Sequence, residues 1–250
     1  MCLILFAWKV HPKHDLILVA NRDEFFNRPT APAQIWQEQP ELIAGKDLTA
    51  GGTWLGVTKS ARFAALTNYR DPANIDPKAP SRGQLTKDYL TSTIDPQNYL
   101  TGLRSKKIPY NGFNLLVGDE RSLWYYNSVN HKIESLAPGV YGLSNALLND
   151  PWPKVVKGKS DLRGSLDHPE PNAKELLRLI QNTTLAPDEM LPQTGVPLEW
   201  ERALSAMYIS TETYGTRCST VLLKNQQKTQ FIEHTYAHVG QKEAQVEFIL

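Results

Sequence analysis

The thiol of Cys2 is the first group in this sequence that could act as a nucleophile. Removal of the initiator Met1, which is usual before a small residue, would leave Cys2 with a free α-amine. The ordinary pKa of such an amine, about 7.7–8.0, lets it act as a base near neutral pH. Thiol and amine on one residue then supply nucleophile and base together, as in threonine and N-terminal-amine pairs. We therefore predict a nucleophilic Cys2; the alternative is a small buried residue that begins a core strand.

Arg22 and Asp23 are the candidate neighbours of this thiol, because a nearby arginine and carboxylate set the pKa of a reactive cysteine. They are consecutive, so in a regular strand their side chains point to opposite faces. Both can reach the thiol only if the strand twists or ends there. The following Phe25-Phe26 and Pro29 favour an end. The alternative is a solvated Arg-Asp-Glu turn.

Asn68, Asn145 and Arg217 could complete a site for acyl transfer. Each asparagine ends an apolar run, and a side-chain amide can donate to the oxyanion of a tetrahedral intermediate. Either could instead be a turn or cap residue. Arg217 lies within the strand-like segment 214–221, which favours a buried ion pair with a carboxylate or an anion site.

An antiparallel hairpin at the start of the chain must position the thiol. The apolar runs Leu3–Trp8 and Leu16–Ala20 are joined by a polar turn, Lys9–Asp15. In such a hairpin the start of the first strand lies beside the end of the second. Pairing alone therefore predicts that Cys2 lies close to residues 21–23.

The rest of the chain alternates between strand and helix patterns. Residues 32–40 are predicted as a proline-rich connection. Strands are predicted at 42–45, 51–58, 62–69, 113–118, 122–126, 139–145, 207–209, 215–223 and 229–235. Helices are predicted at 81–91 with Ser81 as its cap, 95–104 beginning at Asp95, 152–164, 172–182 and 198–205. Strands at both ends with helices between them predict one α+β domain over residues 1–250.

Composition limits the partners and the compartment. With 27 Lys and Arg against 26 Asp and Glu, the net charge of +1 gives no electrostatic case for nucleic acid or an anionic membrane. No apolar segment approaches the ~20 residues that span a bilayer, and no export signal is seen. We expect a cytoplasmic protein with reduced cysteines. The histidines lack metal-like spacing, so no metal is predicted, although His131 alone could ligate a large cofactor.

Several motifs, in order along almost the whole chain, resemble one family. Asn21-Arg22-Asp23-Glu24 after Met1-Cys2 resembles the signature of the NRDE family, whose animal members are called transport and Golgi organisation protein 2. Further matching stretches are Gly51–Gly56, Thr67–Arg70, Gly142–Asn145, Pro151-Trp152-Pro153-Lys154 and Tyr214–Arg217. The family in turn resembles N-terminal-nucleophile (Ntn) hydrolases of the penicillin V acylase and bile salt hydrolase type. That implies a four-layer α-β-β-α fold with two stacked antiparallel sheets and Cys2 at the start of a central strand.

Roles in the proposed site follow from the resemblance by position. Cys2 would be the nucleophile with its amine as base, Asp23 would orient that amine, and Arg22 would stabilise the thiolate. The acylases have an intervening residue between the arginine-bearing element and their aspartate, whereas Arg22 and Asp23 are adjacent here.

The resemblance also assigns the remaining polar residues. Asn68 and Asn145 would form the oxyanion hole, and Arg217 would close the polar site. Cys218 stands where a serine is expected and receives no function.

Two functions are therefore carried forward. The first is a cysteine amidohydrolase that cleaves a linear, non-peptide C–N bond of an acyl-amide through an acyl-thioester on Cys2 and needs no cofactor. The alternative is a protein that binds or transfers haem or an acyl-coenzyme A on a hydrolase-like fold. The resemblance suggests it, because family members are linked to lipid and acyl-coenzyme A homeostasis and to intracellular haem transfer. Tryptophans available to line such a pocket are Trp8, Trp36, Trp54, Trp124 and Trp152. A scaffold without a small-molecule ligand is a third possibility.

Overall fold

The computed structural model describes residues 2–237 and 242–250, except for the side chains of 242 and 243. Met1 and His238 lie outside the described residues. The strands are β1 (Cys2–Trp8), β2 (Leu16–Phe25), β3 (Thr30–Trp36), β4 (Gln39–Asp47), β5 (Leu55–Thr58), β6 (Phe63–Asn68), β7 (Phe113–Gly118), β8 (Leu123–Asn127), β9 (Lys132–Ser135), β10 (Gly139–Leu143), β11 (Tyr214–Lys224), β12 (Thr229–Tyr236) and β13 (Lys242–Ile249). The helices are α1 (Gly83–Thr91), α2 (Pro96–Ser105), α3 (Pro153–Ser165), α4 (Ala173–Ile180) and α5 (Leu198–Ser205).

The chain forms two compact units, one from Met1–Asn27 with Pro138–Leu250 and the other from Arg28–Ala137. The first unit holds an antiparallel sheet in the order β10-β1-β2-β11-β12-β13. The second holds an antiparallel sheet that follows the chain from β3 to β9. The expected α+β class with two antiparallel sheets is confirmed. That residues 1–250 act as a single domain stays a prediction.

In the first unit, alternate residues of the central strands pack under the helices. Leu3 and Leu5 of β1 share a buried cluster with Val155 and Leu162 of α3 and with residues of α4, as the two-residue period of a strand requires. Gly158 lets α3 come close, because a Cβ there would lie 2.4 Å from a methyl carbon of Leu5. The opposite face of β1 and of residues 16–20 of β2 is buried as well, so these stretches are apolar on both faces.

In the second unit, α1 and α2 cover the sheet through an aromatic and aliphatic core. Tyr89 of α1 is fully buried and donates its hydroxyl to the carbonyl of Gly118 at 2.9 Å. Asp95 caps α2 by accepting from the backbone N–H of Asn98, as predicted. The predicted cap of α1 is wrong: Arg82 holds that position and makes no side-chain cap bond.

The N-terminal hairpin is confirmed residue by residue, with Cys2 opposite Arg22 and Trp8 opposite Leu16. Three predicted segments differ from the structure. The predicted strand 51–58 is confirmed only for Leu55–Thr58. Residues 30–36 form an edge strand instead of a connection, because an edge with an irregular register tolerates Pro32. Residues 207–209 form no strand, although they are buried. Within the described residues, no helix combines the length and the apolar character needed to cross a membrane.

Candidate active site

Three of the residues singled out in the sequence, two cysteines and an arginine, lie in one row of the first sheet. Cys2 pairs with Arg22, and Arg22 pairs with Cys218 on its other side. Paired residues share a face, so the side chains of Cys2, Arg22 and Cys218 lie on one face of the sheet. Strands are spaced by about 4.8 Å, which puts the two cysteines about 10 Å apart, beyond the reach of a disulfide. Both are free and buried, with Cys2 8% exposed.

The surroundings of Cys2 favour its neutral thiol. Burial raises its pKa above the ordinary range, and the negative charge of Asp23 raises it further. Arg22 acts in the opposite direction and lowers this pKa, as the resemblance implies, but burial has the larger effect. A nucleophilic Cys2 therefore needs a base to take its proton.

Asp23 and Arg22 lie on opposite faces of β2. The expected strand end at Asp23 is wrong, since pairing with β11 continues to Phe25. The Thr216 hydroxyl donates to Asp23 Oδ1 at 2.8 Å, and the Tyr214 hydroxyl donates to the Asp23 carbonyl at 3.0 Å. Burial raises the pKa of the Asp23 carboxyl, and the largest opposing effect is the positive charge of Lys154.

Asn145 lies at the same end of β1 as the thiol. β10 pairs with β1 up to Leu143, which stands opposite Ile4. The hydroxyl of Ser144 is then 3.1 Å from the carbonyl oxygen of Cys2 and 3.2 Å from Asn145 Oδ1, within hydrogen-bond distance of both acceptors. Asn145 is fully buried. The prediction that Asn145 adjoins the nucleophile has this geometric support, and its role in an oxyanion hole stays a prediction.

Arg217 is the extra residue of a bulge in β11, between Thr216 and Cys218. Its Nη1 donates to the carbonyl of Phe25 at 2.9 Å and lies 3.4 Å from that of Phe26. The guanidinium also lies over the Phe26 ring, 5.7 Å from its centroid. The bulge thus turns Arg217 toward the end of β2. Its predicted role in closing the site stays a prediction.

Asn68 belongs to the second unit. It is the last residue of β6, stands opposite Phe113, and is half-buried. Its predicted part in the oxyanion hole stays a prediction.

Comparison with known proteins identifies the family of this chain. The family model described as "Transport and Golgi organisation 2" matches residues 1–238. The chain belongs to this family. A "Transport and Golgi organization 2 homolog" from Mus musculus is 35% identical over 244 residues, which cover 89% of this chain and 88% of the mouse protein. The Homo sapiens homologue is 34% identical over 246 residues, with the same coverage. The Drosophila melanogaster protein is 31% identical over 264 residues, covering 94% of this chain and 92% of its own length.

The fold of this Transport and Golgi organisation 2 family member is also found in a solved structure. The "Caenorhabditis elegans N-acylethanolamine-hydrolyzing acid amidase (NAAA) ortholog" superposes with a TM-score of 0.53. The match covers 89% of this chain and 92% of that one, at 10% sequence identity. This likeness shows the fold alone, and it is the Ntn-hydrolase type that the resemblance implied.

Asn21, the first residue of the family signature, has a role that the sequence did not predict. Its Nδ2 donates to the carbonyls of Ile180 and Met207, each at 2.8 Å. Its Oδ1 accepts from Ser219 at 2.6 Å, and Ser219 accepts from Tyr236. Asn21 therefore fixes β2 beneath α4, one residue before Arg22. A polar residue at a helix-facing position of an apolar strand was the available signal.

The residues named for a large cofactor are dispersed. Trp8 and Trp36 are buried, and Trp36 donates its indole N–H to the carbonyl of Ala44. His131 is an exposed turn residue whose Nδ1 lies 3.3 Å from the hydroxyl of Tyr126. In the described part of the chain, no group of three or more His, Cys, Asp or Glu side chains could hold a metal ion. Haem as a ligand stays a prediction.

Proposed function

We propose that this protein is an N-terminal cysteine amidohydrolase that cleaves a linear, non-peptide acyl-amide through an acyl-thioester on Cys2. The observation that carries the proposal is the row in which Cys2 pairs with Arg22, with Asn145 beside the start of β1. The Ntn-hydrolase type of fold supports it. The C. elegans neighbour is named for the hydrolysis of N-acylethanolamines, which makes that amide class the first to test here.

The proposed reaction has two steps, acylation of Cys2 and hydrolysis of the acyl-thioester. The α-amine of Cys2, exposed by removal of Met1, accepts the thiol proton as sulfur attacks the amide carbonyl. The C–N bond then breaks, the leaving nitrogen takes the proton, and free amine departs from the acyl-thioester. Water attacks the thioester with the amine again as base, which releases a carboxylic acid and restores the thiol.

The surrounding charges fit this sequence of events. Because burial raises the thiol pKa, proton transfer to the amine must accompany attack, and Arg22 stabilises the sulfur as its charge develops. Asn145 donates to the oxyanion, and a second donor, for which the family resemblance suggests Asn68, stays a prediction. Asp23 orients the amine, and Arg217 closes the polar site.

The test uses purified wild-type protein and two cysteine variants with a panel of N-acylethanolamines and other N-acyl amides. We expect wild type to lack Met1, to gain the acyl mass on Cys2 and to release amine. Cys2→Ala should abolish both, whereas Cys218→Ala, a matched change at a buried thiol on the same row, should retain them. Retained Met1, or amine release by Cys2→Ala equal to that of wild type, would overturn the proposal.

A groove in the second unit favours the second candidate, binding of an acyl-coenzyme A or haem. The groove has a volume of about 490 Å³, within the range of small-molecule sites. The groove is lined by α1, α2, the connection between them and the loop that follows. Its charged residues are Asp88 and Lys106, its other polar residues are Thr91, Ser92 and Asn98, and its apolar and aromatic residues are Leu85, Ile94, Tyr99, Leu103, Ile108 and Tyr110. These side chains could hold an acyl chain or a porphyrin face.

Gly102 gives this candidate a clean test. It lines the groove, and a Cβ added there meets no atom within 4 Å. Gly102→Phe should therefore fill the groove without unfolding α2, and titration with palmitoyl-coenzyme A or haemin should show at least a tenfold weaker Kd. Gly164→Phe, at an equally open glycine of α3, is the matched control. Equal binding by both variants would remove the groove as the site.

A further inference from the structure

Lys154 belongs to the segment Pro151–Lys154, a family motif that the mechanism above does not use. It lies in the first turn of α3 and is only 3% exposed. Its ammonium donates to the carbonyl of Leu204 at 2.8 Å. A buried cation is unfavourable at a helix N-terminus, where the backbone already carries positive partial charge. It therefore requires an anion nearby.

Asp23 is a buried carboxylate linked to Lys154 through Leu204 and Tyr214. It is 1% exposed and lies on the face of β2 that the helices cover. Leu204, whose carbonyl binds Lys154, packs with Tyr214, and the Tyr214 hydroxyl binds the Asp23 backbone. The same carboxylate accepts from Thr216. Lys154 has the largest effect among those that lower the Asp23 pKa.

We propose that Lys154 is a positioning residue that keeps the buried Asp23 ionised, so that its carboxylate can hold the α-amine of Cys2. This inference rests on the proposed function. Without the lysine charge, burial would favour the neutral acid, and the amine would lose its anionic partner.

The test reads the Asp23 carboxyl directly. Protein labelled with ¹³Cγ-aspartate is titrated by NMR, and Asp23→Asn identifies the resonance. Lys154→Met should raise the Asp23 midpoint by about one to three pH units, the usual effect of one nearby opposite charge. Lys154→Arg should keep it near the wild-type value. Lys157→Met changes an exposed lysine of the same helix, which pairs with Asp161, and is the matched control.

Two further measurements keep the result interpretable. Lys154→Gln retains a donor for the Leu204 carbonyl without the charge, in case the methionine variant does not fold. The second measurement needs no lysine variant. Because Asp23→Asn removes the negative charge, the ¹⁵Nζ resonance of Lys154 should titrate at lower pH in that variant than in wild type. A folded variant with an unmoved Asp23 midpoint overturns this inference even if amide turnover is found. A moved midpoint in a protein without turnover leaves it standing and counts against the amidohydrolase alone.

Discussion

Asn21→Ala tests whether the first residue of the family signature acts through the fold. The change removes the two bonds to the carbonyls of Ile180 and Met207 and the acceptor of the Ser219 hydroxyl. Ile180 ends α4, so its carbonyl has no partner within the helix. Each buried carbonyl left without a partner costs about 1–3 kcal/mol. Ser219 keeps a bond from Tyr236 and contributes less.

The expected loss is therefore about 3–5 kcal/mol for Asn21→Ala, a large part of the ~5–15 kcal/mol that stabilises a typical protein. Urea unfolding followed by far-UV circular dichroism measures it, with the melting temperature lowered by roughly 10 °C. Ser219→Ala removes one of the three bonds and should cost about 1 kcal/mol. The double variant should lose less than the sum, because both changes affect one network. A loss below about 1 kcal/mol for Asn21→Ala would refute the reasoning.

Three other changes have defined outcomes. Arg22→Met should raise the pKa of Cys2, and each unit should slow iodoacetamide alkylation at pH 8 about tenfold, read by intact mass; an unchanged rate contradicts it. His14 is buried and its pKa is lowered, so it stays neutral when folded while the unfolded chain takes up a proton near pH 6.5. The folding stability that neutral His14 contributes above that pH is therefore lost as the pH falls. The urea midpoint of His14→Phe should fall less between pH 7.5 and 5.0 than that of wild type. Equal falls in the two proteins would exclude a role of His14 in the pH dependence of stability. Gly52→Ala places a Cβ 2.4 Å from the carbonyl carbon of Gly83, and a stability loss of about 1–3 kcal/mol is expected in thermal unfolding, while no loss would mean that the backbone shifts freely.

Local pattern was sufficient for the hairpin, because two apolar runs and a short turn fix which residues pair. It therefore predicted that Cys2 lies against Arg22. The direction of Asp23 could not be predicted in the same way. It depends on whether β2 continues, and β11, almost two hundred residues later, decides that by pairing as far as Phe25.

Long-range contacts also account for what the sequence missed. Asn21 appears in the sequence as a polar strand end, and its partners Ile180 and Met207 lie far along the chain. The bulge that turns Arg217 toward the end of β2 has no turn residue to signal it. Lys154 was visible only as part of a motif, since the burial that makes its charge informative arises when α3 packs on β1.

The chain order of the first sheet has a consequence for synthesis. β1 and β2 are made first, but their outer partners β10 and β11 follow only after residues 138 and 213, whereas the strands of the second sheet are consecutive. During translation the second sheet can complete its pairing while the start of β1 still lacks β10. The proposed aminopeptidase step at Met1 then has an interval in which Cys2 is accessible to an enzyme. Once the last strands arrive, the Cys2 thiol is buried between strands made at opposite ends of the chain.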